Sequence, residues 1–555
     1  MASRPFDTLI QGGRVLDGAG NPWRRADVGI IDGRITAIGR LDPESAESLI
    51  DANDRLVMPG FVDVHAHSDF SLTINRGAES QVAQGITTEV IGNCGFSAYP
   101  RIPATHGLLF DPEGVGGDWE SVNDYLRVLD ARPLGDNVVS LVGHGTIRHA
   151  AMGGDNRAPT PDELHAMENL LGEAMAGGAA GMSTGLDYVP GSFAETDELI
   201  ALCRVISRYG GVYASHLRGY TSTLIDAVKE AIRLGEESGC AIQLSHMDVF
   251  GRANWGKAAL VIELVNAARE RGVDVTADMM AYPTAGAWWA PRAIFPDDVY
   301  AWRQPAREAL PQLIRQLEDR GRRDELRRIV EARRQQAKQG FHEELLIFST
   351  WDDIYLNGVA DGSVNTGQVG RSIGAIGRDA GIEPVDLYFE LLLTEQSDLS
   401  STHIAINEED YVNFCRQPWM MFGTDSIATT PELSGQPFNT IQAHPRHYAN
   451  FVRVLANHVR DRGWLTIEDA VRKMASLPAT RFGLTDRGLL VPGAAADVLV
   501  VDLPNVTEVA TWIDPRQYPS GIDYVLVNGS VTVDHGRFTG SLAGRPLRMQ
   551  FGSAA

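Results

Sequence analysis

Two rhythms of apolar residues alternate along most of the chain. Short apolar runs of the kind that form strands buried on both faces fall at residues 61–67, 87–91, 138–142, 179–183, 211–215, 241–245, 273–277 and 419–423. Between them lie segments with an apolar residue every three or four positions, the period of a helix with one buried face. These are residues 120–131, 161–175, 195–208, 222–237 and 256–271, the second carrying Leu164, Met167, Leu170 and Leu171 on one side. Strands and helices alternating in this way predict an α/β fold of parallel βα units closed into a (β/α)8 TIM-like barrel. Such a barrel carries its chemistry at the C-terminal ends of its strands.

A different pattern marks both ends of the chain. Residues 8–10, 14–16, 28–31 and 35–38 are short alternating runs, separated by the turn sequences Gly12-Gly13, Gly18-Ala19-Gly20-Asn21-Pro22 and Asp32-Gly33. Similar runs return at 496–502 and 524–533. They predict a small antiparallel sheet, with residues 1–57 and 486–555 joining in one β-sandwich beside a barrel of residues 58–485. An insertion of about residues 286–417 separates the last two barrel strands. Its charged, amphipathic middle, residues 319–334, predicts a solvated helical hairpin, and the remainder is expected to form a lid over the site.

Composition narrows the function. With 555 residues, 44% of them hydrophobic, the chain can bury a large core. A net charge of -23 argues against a nucleic-acid groove or an anionic membrane surface as partner. No run of about 18 apolar residues and no apolar leader segment occurs, and four cysteines without CxxC spacing make no disulfide framework. A cytoplasmic enzyme acting on a small molecule is the expectation.

The residues at the strand ends carry the chemistry. His65 and His67, two apart on one strand, project to the same side. Alone, such a pair reads equally well as rim histidines held by hydrogen bonds. Cys94 follows the second strand, His216 ends the fifth, His246 the sixth and Asp425 the eighth. A thiolate and two imidazoles, Cys94, His216 and His246, make a three-ligand zinc set with an open fourth position, the arrangement of a catalytic site. His65 and His67 complete this site or hold a second, weaker ion with Cys94 as bridge. Asp425 is the acid-base candidate, taking a proton from water and passing it to a leaving nitrogen. A competing motif, Gly181-Met182-Ser183-Thr184-Gly185, fits the nucleophile elbow of serine hydrolases. That elbow opens a helix at once, whereas here Leu186-Asp187-Tyr188-Val189-Pro190-Gly191 follows, so Ser183 is not expected to act as a nucleophile.

Several motifs together resemble the amidohydrolase superfamily and, within it, the D-aminoacylases, or N-acyl-D-amino-acid deacylases. They are Pro59-Gly60-Phe61-Val62-Asp63-Val64-His65-Ala66-His67, Gly92-Asn93-Cys94-Gly95, residues 181–188, Ser215-His216-Leu217-Arg218, Ser245-His246, Gly423-Thr424-Asp425, His444-Pro445-Arg446 and residues 493–498. The likeness spans nearly the whole chain. It implies a zinc hydrolase with a β-sandwich beside the barrel, which cleaves the amide of an N-acyl-D-amino acid, or a related N-acyl amino acid or peptide, into a carboxylate and an amine. It also implies that Arg446 clamps the substrate carboxylate and that Tyr188 lines the pocket or donates to the oxyanion. Two departures stand out. The family usually has a lysine two residues after the second barrel histidine, where this chain has Asp248, which would repel a substrate carboxylate. In place of the family's Asp-x-Tyr-Pro-Tyr stands Asp278-Met279-Met280-Ala281-Tyr282, with Tyr282 as the second tyrosine and the first lost. Asp248 therefore motivates an alternative substrate: an amide, lactam or cyclic imide without a free α-carboxylate, or one bearing a cationic group. A non-catalytic zinc scaffold, against which Asp425 argues, and a deaminase are the readings from other classes.

Overall fold

In the computed structural model, residues 6–105, 117–283, 306–338, 350–360, 362–396, 399–403, 406–431 and 444–549 are described, together with Pro291, Ile294 to Pro296 and Val299. The eight expected barrel strands are Phe61–Asp63, Ile86–Ile91, Asn137–Ser140 with its continuation Val142–Gly143, Gly181–Gly185, Val212–His216, Ala241–Leu244, Val275–Met279 and Met420–Phe422. Each pairs in parallel with the next. A bridge between Ala66 and Ser426 closes the ring from the first strand to the eighth.

Neighbouring strand residues go to different cores, as the two-residue period requires. Val212, Ala214 and Met421 fill the barrel with Val62, Val64, Val90, Val139 and Leu141. Tyr213, Met420 and Phe422 join the larger core under the helices. The helices Val122–Asp130, Pro161–Ala176, Thr196–Ser207, Leu224–Ser238 and Ala258–Glu270 lie close to their expected limits. Ser121 with Asp124, and Thr160 with Glu163, close capping boxes that satisfy orphan N–H groups at two of these starts. The C-terminal tail covers the other end of the barrel, where Leu547 N donates to the Val138 carbonyl and Met549 N to that of Gly178.

Both chain ends share one nine-stranded sheet. Its seam is Leu56–Pro59, the last strand before the barrel, paired antiparallel with Val498–Val501, the first after it. The sheet is mixed and not antiparallel throughout: Phe6–Val15 runs parallel to Ala46–Asp51 and to Leu56–Pro59. The cause is the crossover through the short 3-10 turn Pro43–Ser45, which returns the chain to the far side of the first strand. Ile10, Val28, Ile30, Val57, Val498, Val500 and Leu526 form its core.

The insertion contains helices Ala306–Glu318 and Arg320–Lys338, where the hairpin is expected. It is not solvated on all sides. Leu313, Leu317, Leu326 and Val330 pack with Trp351, Ile354, Tyr388 and Phe389 in a separate core. The arginines on the hairpin meet acids of helix Pro384–Glu395, with Arg323 on Glu390 and Arg327 on Asp386. Asp353 pairs with Arg252, on the segment after the sixth barrel strand, and so fastens the insertion near the site end. Residues 284–290, 297–298, 300–305 and 339–349 lie outside the described residues, and with them much of the expected lid. No helix among the described residues is long and apolar enough to cross a membrane.

Candidate metal centre

Three of the strand-end residues have left-handed backbone: Cys94 at φ 54°, His246 at 34° and Asp425 at 48°. For residues other than glycine this costs of order 1 kcal/mol or more each, and it persists only where surrounding bonds over-determine it. Those bonds are present. The Tyr188 hydroxyl donates to the Cys94 carbonyl at 2.7 Å. Ser183 Oγ accepts from Gly95 N at 2.9 Å and donates to the Gly92 carbonyl at 2.5 Å. Gly95 itself, at φ 80°, lies so close to the fourth strand that a Cβ would sit 2.6 Å from Gly185 N. His246 N donates to Asp278 Oδ1 at 2.8 Å, and Asp425 N to the His65 carbonyl at 2.7 Å. Asp63 ties the first strand to the eighth by accepting from both His65 N and Thr424 N at 3.0 Å. Ser183 is thus a brace for the cysteine loop.

These bonds bring the five expected donors together. Cys94 Sγ lies 3.2 Å from His65 Nε2, 3.6 Å from His246 Nε2 and 3.9 Å from His216 Nδ1. A tetrahedral zinc with ordinary bond lengths holds a sulfur and a nitrogen ligand about 3.5 Å apart, so the spacing fits. Cys94 belongs to two overlapping sets of three, His65, His67 and Cys94, and Cys94, His216 and His246, each with ligand atoms within 4.8 Å of one another. Both sets could hold an ion. Carboxylates stand behind the imidazoles: Asp278 Oδ1 is 3.3 Å from His65 Nδ1, and Asp187 Oδ2 is 3.3 Å from His216 Nε2. Asp425 Oδ1 lies 3.0 Å from His67 Nε2 and 3.7 Å from His65 Nε2, and Oδ2 accepts from Arg446 Nη1 at 2.9 Å.

The electrostatics suit a cation. Burial opposes charge on every group, and the neighbours reverse it. The imidazoles around Cys94, His65 foremost, hold the thiol well below its ordinary value despite burial. Burial lowers His67 and His216, yet Asp425 and Cys94 push the first up to about 9, and Asp187 and Cys94 the second likewise to about 9. His246, where burial is joined by the charge of His216, lies below its ordinary value. Against burial, Arg446 and His67 hold Asp425 well below the usual carboxylate range. A soft thiolate among imidazoles oriented by carboxylates is the donor chemistry of a transition-metal site.

A sequence model of the amidohydrolase family matches residues 48–533. The chain belongs to the amidohydrolase family. It is 35% identical over 527 residues to the N-acyl-D-glutamate deacylase of Alcaligenes xylosoxydans xylosoxydans, covering 94% of this chain and 93% of that one. It is 33% identical over 551 residues to the D-aminoacylase of the same organism, covering 98% of each. Among solved structures, the N-acyl-D-glutamate deacylase of Bordetella bronchiseptica, complexed with zinc and a phosphonate mimic of the tetrahedral intermediate, matches with a TM-score of 0.77. At 32% identity that match covers 98% of this chain and 100% of that one. The likeness to the D-aminoacylases read from the motifs is borne out, as is the barrel with its β-domain.

The expected substrate contacts of this amidohydrolase diverge. Arg446 is neither a surface residue nor a free clamp: it is 1% exposed and bonded to Asp425 and to Met280 Sδ. The Tyr188 proton is spent on the Cys94 carbonyl, so the hydroxyl positions the cysteine and is not directed at an oxyanion. The Tyr282 hydroxyl donates to Glu508 at 3.1 Å, and its ring lies edge-on to His444 and Trp512. Glu508 and Trp512 bring the C-terminal β-segment to the barrel rim. Burial, with Asp278 and Asp425 nearby, pushes Asp248 well above the usual carboxylate range. Two residues escaped sequence reasoning: Asp187 and Asp278, the partners of His216 and His65. Their only signal is an aspartate at or just past the end of a barrel strand.

Proposed function

We propose that this amidohydrolase is a zinc-dependent deacylase that splits N-acyl-D-amino acids into a carboxylate and a free amino acid. One observation carries the reading: Cys94 Sγ faces three imidazoles at 3.2, 3.6 and 3.9 Å with the Asp425 carboxylate beside them. Cys94, His216 and His246 would hold the tight zinc, and His65 and His67 would complete that site or hold a weaker second ion. When bound, the ion supplies Lewis-acid polarisation of the scissile carbonyl and lowers the pKa of water beside it. The chain does the rest. Asp425, kept ionised by Arg446, accepts the proton of the attacking water and delivers it to the leaving nitrogen. Asp278 and Asp187 hold His65 and His216 in the tautomer and orientation that leave the other nitrogen free. Four buried cysteines, none in a disulfide, support a reducing, cytoplasmic setting.

The test is hydrolysis of N-acetyl-D- and N-acetyl-L-amino acids by protein loaded with zinc, with acetate and free amine measured together. Equimolar acetate and amine from the D-series is expected. Ammonia without acetate would convert the reading to a deaminase, and bound zinc with no turnover of any amide would convert it to a scaffold.

A further inference from the structure

Asp248 stands apart from the other carboxylates at this end of the barrel. Asp187, Asp278 and Asp425 each face an imidazole, and Asp425 a guanidinium as well. Asp248 is only 2% exposed, and its Oδ2 has no hydrogen-bond partner among the described residues. The charges that reach it are the carboxylates of Asp278 and Asp425. It lies two residues past His246, where Met247 N donates to the Asp278 carbonyl at 2.7 Å. The guanidiniums nearby are committed, Arg446 to Asp425 and Arg453 to Glu508. A buried carboxyl without a donor is costly, and a folded protein that keeps one calls for a reason.

We infer that Asp248 is a specificity-determining residue that takes an ammonium or guanidinium group carried by the amine half of the substrate, an inference that rests on the deacylase reading above. A cation there supplies the missing bond and relieves the crowding of like charge in one step. A carboxylate in the same place meets three acids and is rejected. Two kinds of molecule present this chemistry: the basic side chain of an N-acyl-D-lysine or N-acyl-D-arginine, and an N-acylated diamine with no carboxylate.

The experiment compares kcat/KM of the full-length zinc-loaded enzyme on Nα-acetyl-D-lysine, its uncharged counterpart N-acetyl-D-norleucine, N-acetyl-D-glutamate and N-acetylputrescine. The lysine derivative is expected to exceed the norleucine derivative by about tenfold or more, the scale of one charge-assisted bond. Asp248→Asn should remove most of that ratio through KM, with kcat less affected. N-acetylputrescine turning over faster than the lysine derivative assigns the diamine, and the reverse order assigns the basic amino acid. Equal kcat/KM for lysine and norleucine derivatives, or a ratio unmoved in Asp248→Asn, overturns the inference and leaves the deacylase reading standing. If no amide is cleaved, it is the deacylase reading that falls. In that case, and also if Asp248→Asn does not fold, calorimetry of D-lysine against D-norleucine on the wild type decides. Binding of D-lysine about tenfold tighter upholds the role of Asp248, and equal binding overturns it.

Discussion

The metal end of the site and the wall that carries Asp248 are built from the same residue types and end in opposite electrostatic states. At the metal end Asp425 sits between His67, His65 and Arg446, and these neighbours hold it well below the usual carboxylate range despite burial. At the wall Asp248 is buried just as deeply, meets only Asp278 and Asp425, and is pushed well above that range. The difference teaches that the role of a buried acid here follows from its partners. A paired acid is a base in waiting, whereas an unpaired one is a receptor for a group the protein itself does not supply.

Removing the centre of the metal end should have the largest effect. Cys94→Ala deletes the one atom common to both ligand sets, so bound zinc and amide hydrolysis are both expected to disappear, measured by metal analysis and acetate release. Zinc retained at wild-type stoichiometry would move the tight site to the histidines alone. Asp425→Asn comes next. It keeps the shape and removes the base, so kcat should fall by about 10³-fold with zinc content unchanged, a general acid-base effect at the upper part of its usual range.

The partners come third and fourth. Arg446→Met strands Asp425 against His65 and His67 without its guanidinium, and breaking one side of a buried pair costs about 3 to 5 kcal/mol. The midpoint of urea unfolding should drop accordingly, and an unchanged midpoint would mean that the imidazoles alone satisfy Asp425. Asp187→Asn and Asp278→Asn act on the orientation of His216 and His65. Each is expected to weaken zinc about 10- to 100-fold in a chelator competition, with the protein still folded.

How much of this could be read from the residues depends on the range of the signal. The barrel is legible because each of its strands is a short local apolar run and each helix repeats its own period, so Val275–Met279 or Pro161–Ala176 needs no distant information. His65, His67, Cys94, His216, His246 and Asp425 are legible because position at a strand end and side-chain chemistry coincide. The parallel pairing of Phe6–Val15 with Ala46–Asp51 is not, since it turns on how a short crossover closes. The same holds for the partners: Arg446 is separated from Asp425 by a loop that no local pattern folds, and an aspartate behind a histidine looks like any other aspartate. The buried face of the charged hairpin is hidden by the arginines around Leu326 and Val330, which pair with acids more than fifty residues away.

Asp248→Asn should have the smallest effect and one of opposite sign to Arg446→Met. The substitution is nearly isosteric and removes a charge that no described group compensates, near two acids. Losing an unpaired buried carboxyl should therefore stabilise the substrate-free protein by about 1 kcal/mol, seen as a slightly higher temperature of unfolding. Arg446→Met and Asp248→Asn each remove one charged group from the same end of the barrel, so a common loss of rim packing would lower both temperatures together. Opposite shifts are what the partner rule requires, because one change creates an unpaired acid and the other abolishes one. If Asp248→Asn instead destabilises, Asp248 is held by bonds within the fold, and its carboxylate is not waiting for a ligand. If it stabilises and also erases the preference for a cationic substrate, the stability given up at this position is the cost of recognition.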